Sequence, residues 1–293
     1  IILTMKRFFT AFAVVTSYIL QLGFFSCTTK PSEYTVLLDS ISVDSVCPLF
    51  HSYEKPACHF SLNMEVPYIE NDKSLSFSIE RFVSSIPRQG LFVEDTDGTV
   101  KSMADNYVRS YIMQYLQVGK EAIDSYGEDM QAAATWMSYE EQVDGTLVFQ
   151  EGPFLSYQLK VYSFMGGAHG NTTITNRVFD MSHLTGITLS SIFSDESLTV
   201  VGEKLRQALA EQNNCASVDE LIQSGIFFSA GDIEPTENFL LDAQGLTWTY
   251  DPYDIAPYAL GAVSVSLPWS ELKDLLYPDT TVKAFAESKT ENI

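Results

Sequence analysis

The segment "PFLSYQLKVYSF", residues 153–164, alternates apolar and polar side chains and runs into Gly166-Gly167-Ala168-His169-Gly170. A period of two puts successive side chains on opposite faces of an extended chain, so the segment predicts a strand. Three glycines in five positions supply positive φ or close backbone approach, which lets that strand bulge and reverse tightly around Ala168-His169. "TTITNRVFDM" then resumes the extended pattern, and "HLTG" is a turn before "ITLSSIF".

The rest of the chain is read in the same way. "HFSLNMEVPYI" and "SLSFSIERFV" both alternate and are separated by Glu70-Asn71-Asp72-Lys73, which predicts a hairpin. In "DNYVRSYIMQYLQVGKEAI", Val108, Tyr111, Ile112, Tyr115 and Leu116 fall at helical spacing and form a core-facing stripe. "AATWMSYEEQV" and "TLVFQE" read as two further strands. "DESLTVVGEKLRQALAEQ" carries Leu198, Val201, Leu205 and Leu209 along one face, with Asp195 and Glu196 at the positive end of the dipole. "NFLLDAQGLTWTYDPYDIAPYALGAVSVSLPWSELKDLL" reads as two strands, a loop rich in Pro and Tyr, another strand and a short helix. Strands and helices come in runs, so the expected class is α+β: antiparallel sheets with helices packed on them, in two intimately associated subdomains.

The N-terminal stretch is expected to stand apart. Met5-Lys6-Arg7, the apolar run "FFTAFAVVTSYILQLGFF" and Ser26-Cys27 have the layout of a lipoprotein signal over residues 1–26, with residues 1–4 upstream of the start. Phe25 stands where such signals carry a smaller residue. Cys27 would become the lipid-bearing N-terminus, attached to the envelope by that anchor alone, and residues 27–50 would be a tether. Processing would remove Lys6 and Arg7 and no acid, taking the formal charge of −21 down by two to −23. Such a surface excludes nucleic acid, whose phosphates demand Lys and Arg, and suits basic partners.

Three cysteines remain after processing, and in an exported protein Cys47 with Cys58 is the expected disulfide, leaving Cys215 alone. Cys47, His51, Cys58 and His59 also contain zinc-binding atom types, but their spacing fits no standard finger, so no metal and no cofactor are expected.

Two quoted stretches carry a resemblance. "YSFMGGAHGNTTITNRVFDMSHLTGITLSSIF", followed by "GLTWTYDPYDIAPYALGAVSVSLPWSEL", resembles the RsiV-like C-terminal domain family, domain of unknown function 3298. The preceding segment resembles the PdaC/RsiV-type partner domain, of the domain of unknown function 4163 type. On that resemblance, residues 51–154 are the N-terminal subdomain, residues 155–277 the C-terminal one, and residues 278–293 a polar tail. The resemblance implies an envelope binding or sensing module, with a lysozyme-type muramidase or peptidoglycan as partner. Neither a sigma-binding segment nor a separate deacetylase domain is visible, so a complete anti-sigma factor or deacetylase is not expected. The alternative is an accessory peptidoglycan hydrolase or deacetylase component.

The candidate site residues are Gly166, Gly167, His169 and Gly170, together with Tyr253, Pro257 and Tyr258 of the Pro-Tyr loop. His169 either bonds the backbone of its turn or meets a ligand. The tyrosines either cover the core and bond that turn or form an aromatic surface for sugar or protein. No G-x-S-x-G and no H-E-x-x-H is present, so no catalytic residue is assigned.

Overall fold

The structure is a computed structural model that describes residues 34–49, 56–86, 97–126 and 136–291. The expected signal sequence, Cys27 and His51 lie outside the described residues.

The chain enters a six-stranded sheet at β1 (Val36–Pro48), paired antiparallel with β2 (Ala57–Ile69) along its whole length. This corrects the expected tether: alternation in "VLLDSISVDSVCP" makes an edge strand whose inner face is half-buried. The helices α1 (Lys73–Ser85) and α2 (Val100–Tyr126) then cross over, and β3 (Tyr139–Glu151) returns parallel to β2. A parallel return needs such a crossover, and it is the one departure from antiparallel pairing among the strands of this sheet. β3, β4 (Phe154–Met165), β5 (Asn171–Asp180) and β6 (Thr185–Ile187) continue as an antiparallel meander in the order β1-β2-β3-β4-β5-β6. A register shift between Leu147 and Phe149 bends β3, which absorbs two expected strands into one.

Helix α1 corrects the predicted hairpin. Leu75, Ile79 and Val83 recur at i, i+4 and i+8 and are buried, whereas Phe77, which an alternating strand would pair with them, stays exposed. Asp72 decides between the two periods: its Oδ1 accepts the N–H of Leu75 at 2.9 Å and caps the helix. In α2 the expected stripe holds for Tyr111 and Tyr115, which are buried, and for Val108 and Ile112, which pack half-buried against the same core; Leu116 is exposed, and Tyr107 joins the buried face.

The C-terminal part adds α3 (Leu189–Ile192), α4 (Asp195–Gln212), α5 (Val218–Gln223), a three-stranded sheet of β7 (Phe239–Leu241), β8 (Gly245–Tyr250) and β9 (Val263–Pro268), then α6 (Trp269–Leu272) and α7 (Thr281–Thr290). Residues expected to be a polar tail thus form a packed helix: Val282 and Ala286 are buried, and the Phe285 ring meets Phe154 at 5.2 Å. Thr280 caps it through the N–H of Lys283.

Two hydrophobic cores share the large sheet. In β4, Leu155, Tyr157 and Leu159 face α1 and α2, while Phe154 belongs to the core of α4, β7–β9 and α7. Val178 and Phe179 of β5 divide in the same way. Both faces of these strands are covered, so Phe154–Leu159 is buried almost throughout, its polar Ser156 included, although the sequence alternates. The boundary expected at 154/155 therefore cuts through a strand that serves both halves, and the described residues after Glu33 form one compact unit. Ser156, fully buried, docks the small sheet: its hydroxyl donates to the Leu241 carbonyl at 2.5 Å and accepts the Leu241 N–H at 3.1 Å.

Candidate functional site

The β4–β5 turn uses its glycines for different reasons. Gly166 has φ +71°, the left-handed region, and a Cβ there would overlap the Trp136 carbonyl. Gly170 has ordinary φ but sits against the Tyr162 ring, where a Cβ would clash. Gly167 needs neither allowance: its φ is ordinary and no atom lies within 4 Å of a built Cβ. Sequence reasoning treated all three alike; the structure assigns the requirement to Gly166 and Gly170. Strand β5 restarts at once, with Asn171 opposite Ser163.

The second half of the site is the loop after β8. β6 covers only Val178–Asp180 of β5, so most of the outer edge of β5 would be left open. Side chains close it. Asp251 Oδ1 accepts the N–H of Ile174 at 2.8 Å, Asn238 Oδ1 accepts the N–H of Asn176 at 2.7 Å, and Asn238 Nδ2 donates to the Ile174 carbonyl at 2.7 Å. Asn176, buried, donates in turn to Thr249 Oγ1 at 2.9 Å. Burial pushes the Asp251 carboxyl above its ordinary range; the Ile174 N–H opposes this and the neighbouring Asp254 adds to it. None of these edge-sealing residues was singled out from the sequence; polar side chains facing a bare strand edge carry no periodic signal.

Held in this way, the loop places Tyr253 at φ +77°, uncommon for a residue with a side chain, and its N–H donates to the Ala256 carbonyl at 3.2 Å. Pro257 opens a short 3-10 turn, Tyr258–Leu260, that ends at Gly261 with φ +67°. Tyr258 thereby lies over the glycine turn: its hydroxyl donates to the Gly170 carbonyl, and its ring stacks on His169 with centroids 4.1 Å apart and planes at 22°. Tyr253 stacks on Tyr258 in turn, with centroids 5.7 Å apart and planes at 30°. His169 Nδ1 is 3.2 Å from the Gly170 carbonyl.

The two stretches singled out in the sequence thus meet. Tyr258 bonds the glycine turn, while His169, Pro257 and Tyr253, the last 59% exposed, face solvent. Phe228 and Leu260 add exposed apolar surface, and Phe228 is tied to the loop through its N–H to the Ile255 carbonyl at 3.0 Å. The contacts of His169 are an aromatic ring and a carbonyl, not a carboxylate. The arrangement can stack against a flat ring and exchange hydrogen bonds at its rim.

The other expected residues lie elsewhere. Cys47 and Cys58 are directly opposite in the β1–β2 register, with both thiols free in this structure. Burial first, and the Cys47 thiol second, push the Cys58 thiol up to about 12. Among the described residues no group of three His, Cys, Asp or Glu is placed to hold a metal, and His59 is exposed on the face opposite buried Cys58.

Two family models match the chain. "Deacetylase PdaC" covers residues 52–172, and "Protein of unknown function (DUF3298)" covers residues 190–270. Both parts of the expected PdaC/RsiV-like organisation are thus matched, but the glycine turn, which the sequence reading placed with the DUF3298-type part, falls within the PdaC match. Its similar proteins include the peptidoglycan-N-acetylmuramic acid deacetylase PdaC of Bacillus subtilis, 24% identical over 230 residues, which are 78% of this chain and 44% of that protein. The chain spans less than half the length of this relative. Among solved structures, a DUF3298-family protein from Bacteroides fragilis superposes with a TM-score of 0.72 at 26% identity, over 87% of this chain and 98% of the other. A DUF3298-family protein from Pseudomonas aeruginosa shares the fold, with a TM-score of 0.55 at 18% identity over 83% of this chain and 95% of the other.

Proposed function

We propose that this chain, a PdaC-type region followed by a DUF3298 region, is a non-enzymatic binding or sensing module of the cell envelope whose partner is a basic, lysozyme-type muramidase. One observation carries the reading: the glycine turn lies in the first matched region and the Tyr-Pro loop in the second, and they join in one exposed stack of His169, Tyr258 and Tyr253. Residues contributed by both regions make the surface a property of the two-part chain and not of either part.

The physical division of labour is plain. A formal charge of −21 attracts a basic protein over distance and speeds encounter, and salt screens that attraction beyond a Debye length of about 10 Å. Charge of this kind gives no specificity. The exposed aromatic rings and Pro257, on a backbone fixed by Asp251 and Asn238, supply a preorganised surface that loses little entropy when it is covered. Envelope attachment in this proposal rests on acylation of Cys27, which closes the N-terminal apolar run.

The test is binding of a lysozyme, and of an unrelated basic protein of similar size, at two ionic strengths. Preferential binding of the lysozyme that survives the higher salt is expected. Equal binding to both proteins, or none to lysozyme at low salt, would leave the likeness as one of fold. Turnover of peptidoglycan fragments that disappears in His169→Ala would instead favour an accessory hydrolase or deacetylase component.

A further inference from the structure

Strand β5 has a second polar centre at its other end, about 30 Å from the glycine turn by the rise of a ten-residue strand. Asp180, 3% exposed, receives four hydrogen bonds: the Ser182 N–H at 2.8 Å and hydroxyl at 2.5 Å on Oδ1, and His183 Nδ1 at 2.8 Å and the Thr281 hydroxyl at 2.7 Å on Oδ2. Burial alone would raise this carboxyl, but the bonds from Ser182, Thr281 and His183 outweigh it and hold it below its ordinary range. All its acceptor positions are used, so the carboxylate acts by orienting its donors.

The consequence falls on His183, whose side chain is 62% exposed. An ionised carboxylate on Nδ1 requires the proton there, so neutral His183 carries its free lone pair on Nε2. The turn that holds it takes the next residue, Leu184, to φ +55°, a costly conformation for leucine. Bracing of α7 does not require this, because Thr281 reaches Asp180 directly.

His183 opens on a cavity of about 410 Å³ between the β5–β6 turn, α3 and the start of α7. Thr185, Thr188, Ser191 and Thr280 line it with Asp279, while Ile187 and Val282 form apolar wall. Its size suits a small organic ligand. Its chemistry is biased: Nε2 and the Asp279 carboxylate accept, and the hydroxyls accept or donate. We propose that this cavity is a second binding site, separate from the aromatic stack, for a monosaccharide-sized ligand rich in hydrogen-bond donors, with a hydroxyl on His183 Nε2 and a protonated amine on Asp279. An amino sugar has that chemistry.

The site is tested with glucosamine and glucose titrated into the full chain, followed by calorimetry and by the ring ¹⁵N resonances of His183. Saturable glucosamine binding is expected, with glucose weaker, a shift of the unprotonated Nε2 resonance, and about a tenfold loss in His183→Ala measured below its melting transition, which should fall because Asp180 loses one of its four donors. Asp279→Asn, a change at an exposed position, should remove the preference for glucosamine over glucose. Absence of saturation, or equal affinity in wild type and His183→Ala, would overturn the site and leave the Asp180 cluster as a brace. Glucose binding as tight as glucosamine would overturn the amine assignment to Asp279.

Discussion

Gly166 and Gly167 are chain neighbours with opposite tolerances. A side chain at Gly166 is strained by its φ of +71° and overlaps the Trp136 carbonyl, so Gly166→Ala should lose about 1–3 kcal/mol in denaturant unfolding. Gly167→Ala meets open space and should change stability by less than about 0.5 kcal/mol. The sequence names the turn but not the strained glycine, because φ depends on where β4 releases its partner, and that is fixed by the Ser163–Asn171 pair. Tyr258 offers a second residue-scale prediction. Its hydroxyl satisfies the Gly170 carbonyl, and Gly170 is buried, so Tyr258→Phe should cost about 0.5–1.5 kcal/mol while keeping the ring on His169. Equal stability of Tyr258→Phe and wild type would show that water replaces the bond freely.

At the scale of elements, the β1–β2 hairpin and the α2–β3 interface each make a claim. Cys47 and Cys58 face each other across the hairpin, so a thiol–disulfide exchange reagent should close them; the short loop so formed would add about 2–3 kcal/mol. Thiol titration before and after exchange checks it, and two thiols that stay reactive would rule it out. On α2, the Tyr107 hydroxyl donates to Glu141 Oε1 at 2.5 Å, and burial raises the Glu141 carboxyl although the Tyr107 and Ser163 bonds oppose the rise. The fold therefore favours the neutral acid. Its contribution is complete below the unfolded value of about 4.3 and is lost as pH rises from there through the folded value. Glu141→Gln should raise the melting temperature near neutral pH and flatten its fall above about pH 4; an unchanged profile would contradict the assignment. Elements with one dominant period, such as α4 with Val201, Leu205 and Leu209, were legible in the sequence. Those that failed had two periods or a weak one. In α1, "SLSFSIERFV" satisfies both alternation and i, i+4 until the Asp72 cap decides. In β1, an edge strand buries its face only in part, so its pattern passes for a tether.

For the molecule as a whole, the class, the acidic surface and the two motifs were legible, and a bond from the tyrosines to the glycine turn was one of the two readings open to them; the packing that brings them together was not legible. Contact between Gly170 and Tyr258, far apart in sequence, depends on the small sheet docking on β4 through Ser156 and on Asp251 and Asn238 sealing β5. Those are tertiary facts without a local signature. The central claim is that this joined aromatic surface recognises a partner, with charge only assisting encounter. The most direct measurement is the pair of rate constants for a lysozyme binding to wild type and to Tyr253→Ala, whose ring is 59% exposed and supports no core packing. The account predicts dissociation at least about tenfold faster with little change in association rate, since the net charge is unaltered. Identical dissociation rates for the two proteins would contradict it.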